Sequence, residues 1–297
     1  MWLAKISRKM FYISMNNVGF NIIKFNPIKF KSTQASTPQV KGVTQDTFTP
    51  SAENVARSNF DKLFPDGSIN KVYEKINKDF QVDNPAELKF VYDPKSQQGG
   101  GFCFKDNLIE MNLYDLMTYD KKIVGIKGNK RFPLVSPKEK LPLFVTEEMG
   151  KDFVKNNKLG FDKLVLEDVK PSEHRKYIIQ KIAHECVHAK QHQILRETEG
   201  VGDKEILKAW THLKPENLAE EEFLNQKVDK IYESSPWSKL PKPEVKYTKD
   251  SHVYNKSMSL LNAIRYYPPV TSPEYTTNAL EREAFDVSAQ YVRNIMV

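Results

Sequence analysis

The spacing of apolar residues changes several times along the chain. Residues 51–64 (SAENVARSNFDKLF) and 68–80 (SINKVYEKINKDF) place apolar side chains three and four apart, the helical period, with Pro65-Asp66-Gly67 as a turn between them. The period then shortens to two. In ELKFVYD (87–93) Leu88, Phe90 and Tyr92 alternate with other positions, and in NLIEMNL (107–113) Ile109, Met111 and Leu113 share a face. With GFCF (101–104) between them, these segments predict two or three strands of a small sheet, with Lys105-Asp106-Asn107 as a turn. The run Gly99-Gly100-Gly101 is followed by neither Gly-Lys-Ser/Thr nor a helix, so it reads as a hairpin or strand start and not as a phosphate loop. Residues 120–171, rich in Lys and carrying Pro133, Pro137, Pro142 and Pro171, predict a loop-rich insertion with a short strand at LPLFV (141–145) and a short helix near 146–157.

From Ser172, read as an N-cap, the pattern predicts a helix to about Thr198, because no Gly or Pro intervenes before Gly200. Ile179, Ile182, Ala183 and Cys186 give it an apolar face at i, i+3, i+4 and i+7. Helices near 203–213, 217–234, 251–266 and 278–296 follow, with SSPWSKLPKPEVKYTKD (234–250) as a Pro-containing connection. A few strands, one long helix and then a mainly helical C-terminal part make an α+β order.

Charge changes the picture at one end only. Residues 1–45 hold seven Lys/Arg and no Asp or Glu, which leaves 38 basic against 38 acidic residues in the rest. The net charge of +7 therefore belongs to the tail, and the neutral body speaks against a nucleic-acid-binding face. Residues 1–48 read as a disordered basic tail, an organelle-targeting leader being the other reading, and residues 49–297 as one domain. No secretory signal and no transmembrane segment is expected, and the two cysteines, Cys103 and Cys186, form no disulfide framework and read as reduced packing residues. An intracellular setting is the expectation.

The chemistry concentrates in KIAHECVHAKQHQ (181–193), where three of the six histidines fall on one helical stripe. At 3.6 residues per turn His184 and His188 project together and can hold one metal ion. Glu185, one residue round the helix from His184, reaches the space beside that ion without being a ligand, where a general base for water must stand. The bland alternative is a set of satisfied core or surface histidines. His192 lies a further turn along, too far for a third imidazole on a straight helix, and reads as a flanking polar residue. The longer motif with a third His is excluded, since Gln191 and Ile194 stand where its Gly and His would be.

Downstream, TTNALEREAFDVSAQYV (276–292) contains Glu281-Arg-Glu-Ala284. Together with His184-Glu185-Cys186-Val187-His188 it resembles the gluzincin branch of the zincin metallopeptidases, in which a glutamate on a later helix completes the metal site, often within Glu-x-x-Ala-Asp. Phe285 stands in place of that Asp, and Asp286 is one position late. The resemblance implies a zincin-like α+β fold with the sheet packed on the motif helix and an edge strand lining the cleft, placed here at 107–113. It implies Zn²⁺ held by His184, His188 and Glu281, with Glu283 as the alternative donor and Glu274 as a more distant one. A competing role for Glu281 is the third helical position of a capping box headed by Asn278. The resemblance further implies a Tyr or His oxyanion donor, for which Tyr266, Tyr267, Tyr275 and His252 are available. It points to a zinc-dependent peptidase acting on a polypeptide, in which Glu185 takes a proton from zinc-bound water and passes it to the leaving amine. The rival readings are an inactive zincin-fold binding or structural module and a metal-free helical protein whose tail binds an acidic partner or membrane surface.

Overall fold

The computed structural model describes residues 51–96, 99–136, 140–157, 159–213, 215–269 and 272–295. Residues 1–48, read above as a tail, lie outside that set. The described chain is mixed α+β, with two small sheets and helices gathered around one long central helix.

Helices α1 (Ala52–Leu63) and α2 (Ser68–Phe80) flank a 3₁₀ turn at Pro65–Gly67. Ser51 caps α1 by accepting the Asn54 N–H at 3.2 Å. The first sheet has strands β1 (Glu87–Val91), β2 (Gly100–Cys103) and β3 (Leu108–Asn112) in the order β1-β3-β2, with β1 parallel and β2 antiparallel to β3. The strand placed at the edge, 107–113, is therefore the central one. Its backbone is paired on both sides, and the edge that faces the later helices is β2. Ile109 and Met111 of β3 are buried beside Phe60, Phe64, Ile69 and Ile76 from α1 and α2, and beside Ile178, Ile179 and Ile182 of the central helix.

After the short helix α3 (Leu113–Thr118), residues expected to be loop-rich fold as a second sheet. Strand β4 (Lys121–Lys127) pairs antiparallel with β5 (Lys130–Pro133), β6 (Phe144–Val145) and β7 (Lys163–Asp168). The alternation was hidden because Lys122, Ile123, Val124 and Gly125 are all buried. Lys122 is tolerated there because its Nζ lies 2.8 Å from both carboxylate oxygens of Glu173. The expected strand at 141–145 and helix at 146–157 correspond to β6 and to α4 (Glu147–Asn156), which Thr146 caps by accepting the Met149 N–H at 3.2 Å.

The central helix α5 (Pro171–Arg196) starts one residue before Ser172, because Pro171 occupies the first helical position and the Glu173 carboxylate accepts the Lys170 N–H at 2.9 Å. It ends before Thr198 because the Glu197 carbonyl accepts the N–H groups of Lys246 and Tyr247, at 2.9 and 3.1 Å. Its burial exceeds one face: Ile178, Val187 and Leu195 are enclosed along with the predicted stripe. Helices α6 (Asp203–Trp210), α7 (Leu218–Ser234), α8 (His252–Arg265) and α9 (Ala279–Ile295) complete the fold. A second apolar cluster joins Leu195 to Ile206, Leu224, Trp237, Leu260 and Leu280 from these elements. Helix α9 runs along α5 with Ala284, Ala289 and Val292 turned inward. No described helix is long and apolar enough to cross a membrane.

Of the cysteines, Cys186 is buried, but Cys103 is exposed on β2 and its thiol donates to Asp106 Oδ2 at 3.1 Å. Side by side on β2, Gly100 and Gly101 face different constraints. A Cβ at Gly100 would stand 2.7 Å from Met111 Sδ and 2.9 Å from the Glu110 carbonyl of the paired strand, whereas one at Gly101 would meet nothing within 4 Å. Gly100→Ala is expected to lower stability by about 1–3 kcal/mol in denaturant unfolding, and Gly101→Ala to leave it unchanged. Equal losses at both positions would contradict this β2–β3 register.

Candidate metal centre

Two helices meet at the site. His184 and His188 lie one turn apart in the middle of α5, and Glu281 sits in the first turn of α9, where the partial positive charge of the helix N-terminus favours a carboxylate. Asn278 starts α9 by accepting the Leu280 N–H on its side chain at 3.0 Å and the Arg282 N–H on its carbonyl at 2.9 Å. The Glu281 side chain takes no part in that cap and turns to the histidines. His184 Nε2 lies 3.4 Å from Glu281 Oε2, His188 Nε2 lies 3.3 Å from Glu281 Oε1, and the two Nε2 atoms are 3.1 Å apart. The three residues form a group able to hold a metal ion. Glu281 is 1% exposed.

The other carboxylates considered are elsewhere. Glu283 is engaged by Gln191 Nε2 at 3.1 Å and by Lys256 Nζ, and does not join the group that faces the imidazole pair. Glu274 is exposed in a 3₁₀ turn (Pro273–Thr277) and bonded to Ser272. Asp286 is exposed, so it does not serve as the partner of a histidine. Phe285 packs its ring on His184 instead, with centroids 4.4 Å apart, and among the described residues His184 Nδ1 is buried with no hydrogen-bond partner.

A cavity of about 220 Å³ opens over the pair. Glu185 lines it, partly buried, and among the described residues no hydrogen bond or ion pair engages its carboxylate. Backbone of β2 at Gly100 and Gly101 forms one wall, Trp210 and Tyr267 another. Of the four candidate donors, Tyr267 and Tyr275 border the cavity, while Tyr266 is 64% exposed and His252 is exposed at the start of α8. Tyr267 donates its hydroxyl to Glu281 Oε1, and its ring meets that of Tyr275 edge-on at 5.7 Å.

His192 is not the flanking polar residue expected from its position. It is 3% exposed, lines the cavity, and is stacked on Phe104 at 4.5 Å and on Trp210 at 5.9 Å. Sequence reasoning missed this because both rings that enclose it come from distant elements. Gln191, noted only as a mismatch to a longer motif, is 2% exposed and its Oε1 lies 2.8 Å from His188 Nδ1. The i, i+3 spacing on one helix was the available signal.

Burial and charge set the protonation states. Burial opposes the charge on Glu281, yet the adjoining His188 and His184 rings hold its carboxyl well below the usual range. Burial likewise opposes charging His188, but the Glu281 carboxylate outweighs it and raises the ring to about 9. Burial dominates at His184, which is lowered, and at His192, which falls to about 3 with help from nearby His188 and Arg196. Tyr267 and Tyr275 are raised by burial and by the Glu281 charge, so both phenols keep their protons.

No protein family, curated protein or solved structure that was compared matches the chain.

The Tyr267 hydroxyl is a neutral donor to a buried carboxylate, and its removal is expected to destabilise the metal-free protein by about 1.5–3 kcal/mol. Denaturant unfolding of Tyr267→Phe beside Tyr266→Phe reads this, with a smaller loss expected for the second, whose side chain is largely exposed. Identical stabilities of the two variants would contradict the contact with Glu281.

Proposed function

We propose that this chain is a zinc-dependent peptidase that hydrolyses peptide bonds with Glu185 as general base and His184, His188 and Glu281 as metal ligands. The single observation behind this reading is the spacing of the three donors. Ligands of a tetrahedral zinc at about 2.0–2.1 Å lie about 3.3–3.4 Å from one another, and the three separations here are 3.1, 3.3 and 3.4 Å. The donor set, two imidazoles and a carboxylate, is one that zinc accepts while keeping a position open. Glu281 Oε2 is buried with no hydrogen-bond partner among the described residues, which an ion would satisfy.

Zinc held in this way supplies Lewis-acid polarisation of a carbonyl and makes water more acidic. The remaining work falls to the chain. Glu185, uncommitted at the cavity, takes a proton from water as its oxygen attacks the carbonyl carbon, and delivers that proton to the amine nitrogen as the C–N bond breaks. Tyr267 and Tyr275 keep protonated phenols at the cavity wall, and either would have to turn its hydroxyl from its present partner to donate to a developing oxyanion. Among the described residues β2 pairs only with β3, so an extended polypeptide can add to its other edge through backbone hydrogen bonds. A zincin-like relation of sheet to motif helix is part of the same proposal, with β2 in place of 107–113 at the cleft.

One observation favours the inactive-module reading: Phe285 leaves His184 Nδ1 without the acceptor that usually orients a metal-bound imidazole. Elemental analysis and a peptide-library assay separate the two. Wild type is expected to retain stoichiometric zinc, His184→Ala and Glu281→Ala to lose it, and Glu283→Ala to keep it. Glu185→Gln is expected to keep zinc while cleavage falls by on the order of 10²–10⁴. Zinc retention without cleavage of any peptide by wild type would establish the inactive module, and absence of zinc would remove both.

A further inference from the structure

Resting on the metal-site reading above, we infer that Gln191 is a positioning residue for that site: it fixes the tautomer of His188 through a relay that ends at Lys256. The donor and acceptor character of four groups fixes this tautomer. Gln191 Nε2 lies 3.1 Å from the Leu280 carbonyl oxygen and 3.1 Å from Glu283 Oε2. A carbonyl accepts only, and the Glu283 carboxylate, paired with Lys256, offers acceptor oxygens as well. Both positions therefore demand the amide NH₂, and the Gln191 amide has one permitted orientation. Its Oε1 then faces His188 Nδ1 at 2.8 Å. An amide oxygen only accepts, so Nδ1 carries the hydrogen and donates it. In the neutral ring this leaves the Nε2 lone pair free, and Nε2 is the atom 3.1 Å from His184 Nε2 and 3.3 Å from Glu281.

The relay joins three helices. Lys256 is on α8, Glu283 and Leu280 are on α9, and Gln191 and His188 are on α5. Because Gln191 bonds to the same turn of α9 that carries Glu281, it ties the orientation of one ligand to the position of another. The carboxylate weighed from the sequence as an alternative ligand thus acts one step back, by orienting the amide. His184, whose Nδ1 has no such partner, leaves His188 as the imidazole held from behind. The burial of Gln191 makes the arrangement costly to break, since its amide has no access to water to replace lost partners.

Zinc affinity, measured by competition with a chromogenic chelator, and the proton position on His188, read by ¹⁵N–¹H correlation of the metal-free wild type at about pH 10, where the ring is neutral, test this together. Gln191→Met is expected to weaken zinc binding by about 10–100-fold. The His188 hydrogen is expected on Nδ1. Zinc affinity of Gln191→Met equal to wild type, or a hydrogen on Nε2, would overturn the inference while leaving the metal site standing. If Gln191→Met fails to fold, the wild-type spectrum decides alone. Failure of wild type to bind zinc would sink the underlying reading and this one with it.

Discussion

A buried carboxylate facing two buried imidazoles is the constraint around which the two long helices are arranged. Glu281 is almost wholly enclosed, and an ionised carboxylate in that position is costly unless its charge is matched at close range. His184, His188 and the Tyr267 hydroxyl provide the match. The cost of losing any one of them ties α9 to a single register along α5, and that register carries the apolar contacts of Ala284, Ala289 and Val292 with it. The candidate metal centre and the helix packing thus share the same few atoms. A polar cluster of this kind specifies where the helices sit more sharply than an apolar seam would, because a slip of one residue would leave the carboxylate buried without a partner.

The surrounding elements serve that junction in separable ways. The first sheet brings β2 to the cavity rim, with Gly101 leaving open space and Gly100 allowing close approach to β3. The C-terminal helices contribute Trp210 and the Tyr267–Tyr275 pair as an aromatic wall, and hold His192 as an uncharged ring in a stack. The second sheet, anchored to the start of α5 through the Lys122–Glu173 ion pair, lies at the opposite end of the helix from these groups and contributes none of the residues at the cavity. Its part is to fix where α5 begins. Charge burial recurs at both ends of α5, in Lys122–Glu173 at its start and Arg196–Asp203 at its end, matched in each case by a partner of opposite sign.

Legibility followed the range of the interactions. The His184–His188 stripe was readable because helical geometry alone puts positions four apart together, and the helices from 203 onward were readable because caps and breakers are local signals. The placement of Glu281 was an expectation by resemblance, and the structure brings it to the histidine pair and not Glu283 or Glu274. What failed was non-local. The second sheet was hidden by a central strand buried on both faces and by a lysine whose partner lies 51 positions away. The order β1-β3-β2 could not be read from strand sequences, since pairing depends on partners that composition does not name. His192 looked polar because the rings of Phe104 and Trp210 that enclose it belong to other elements.

X-ray absorption at the zinc edge of the loaded protein tests the central claim most directly, because it reports the donor atoms and not a consequence of them. The account predicts a first shell of nitrogen and oxygen at about 2.0–2.2 Å, with outer-shell scattering from two imidazoles that drops to one in His188→Ala. A sulfur contribution near 2.3 Å, or a purely oxygen shell without imidazole scattering, would place the ion elsewhere and contradict it.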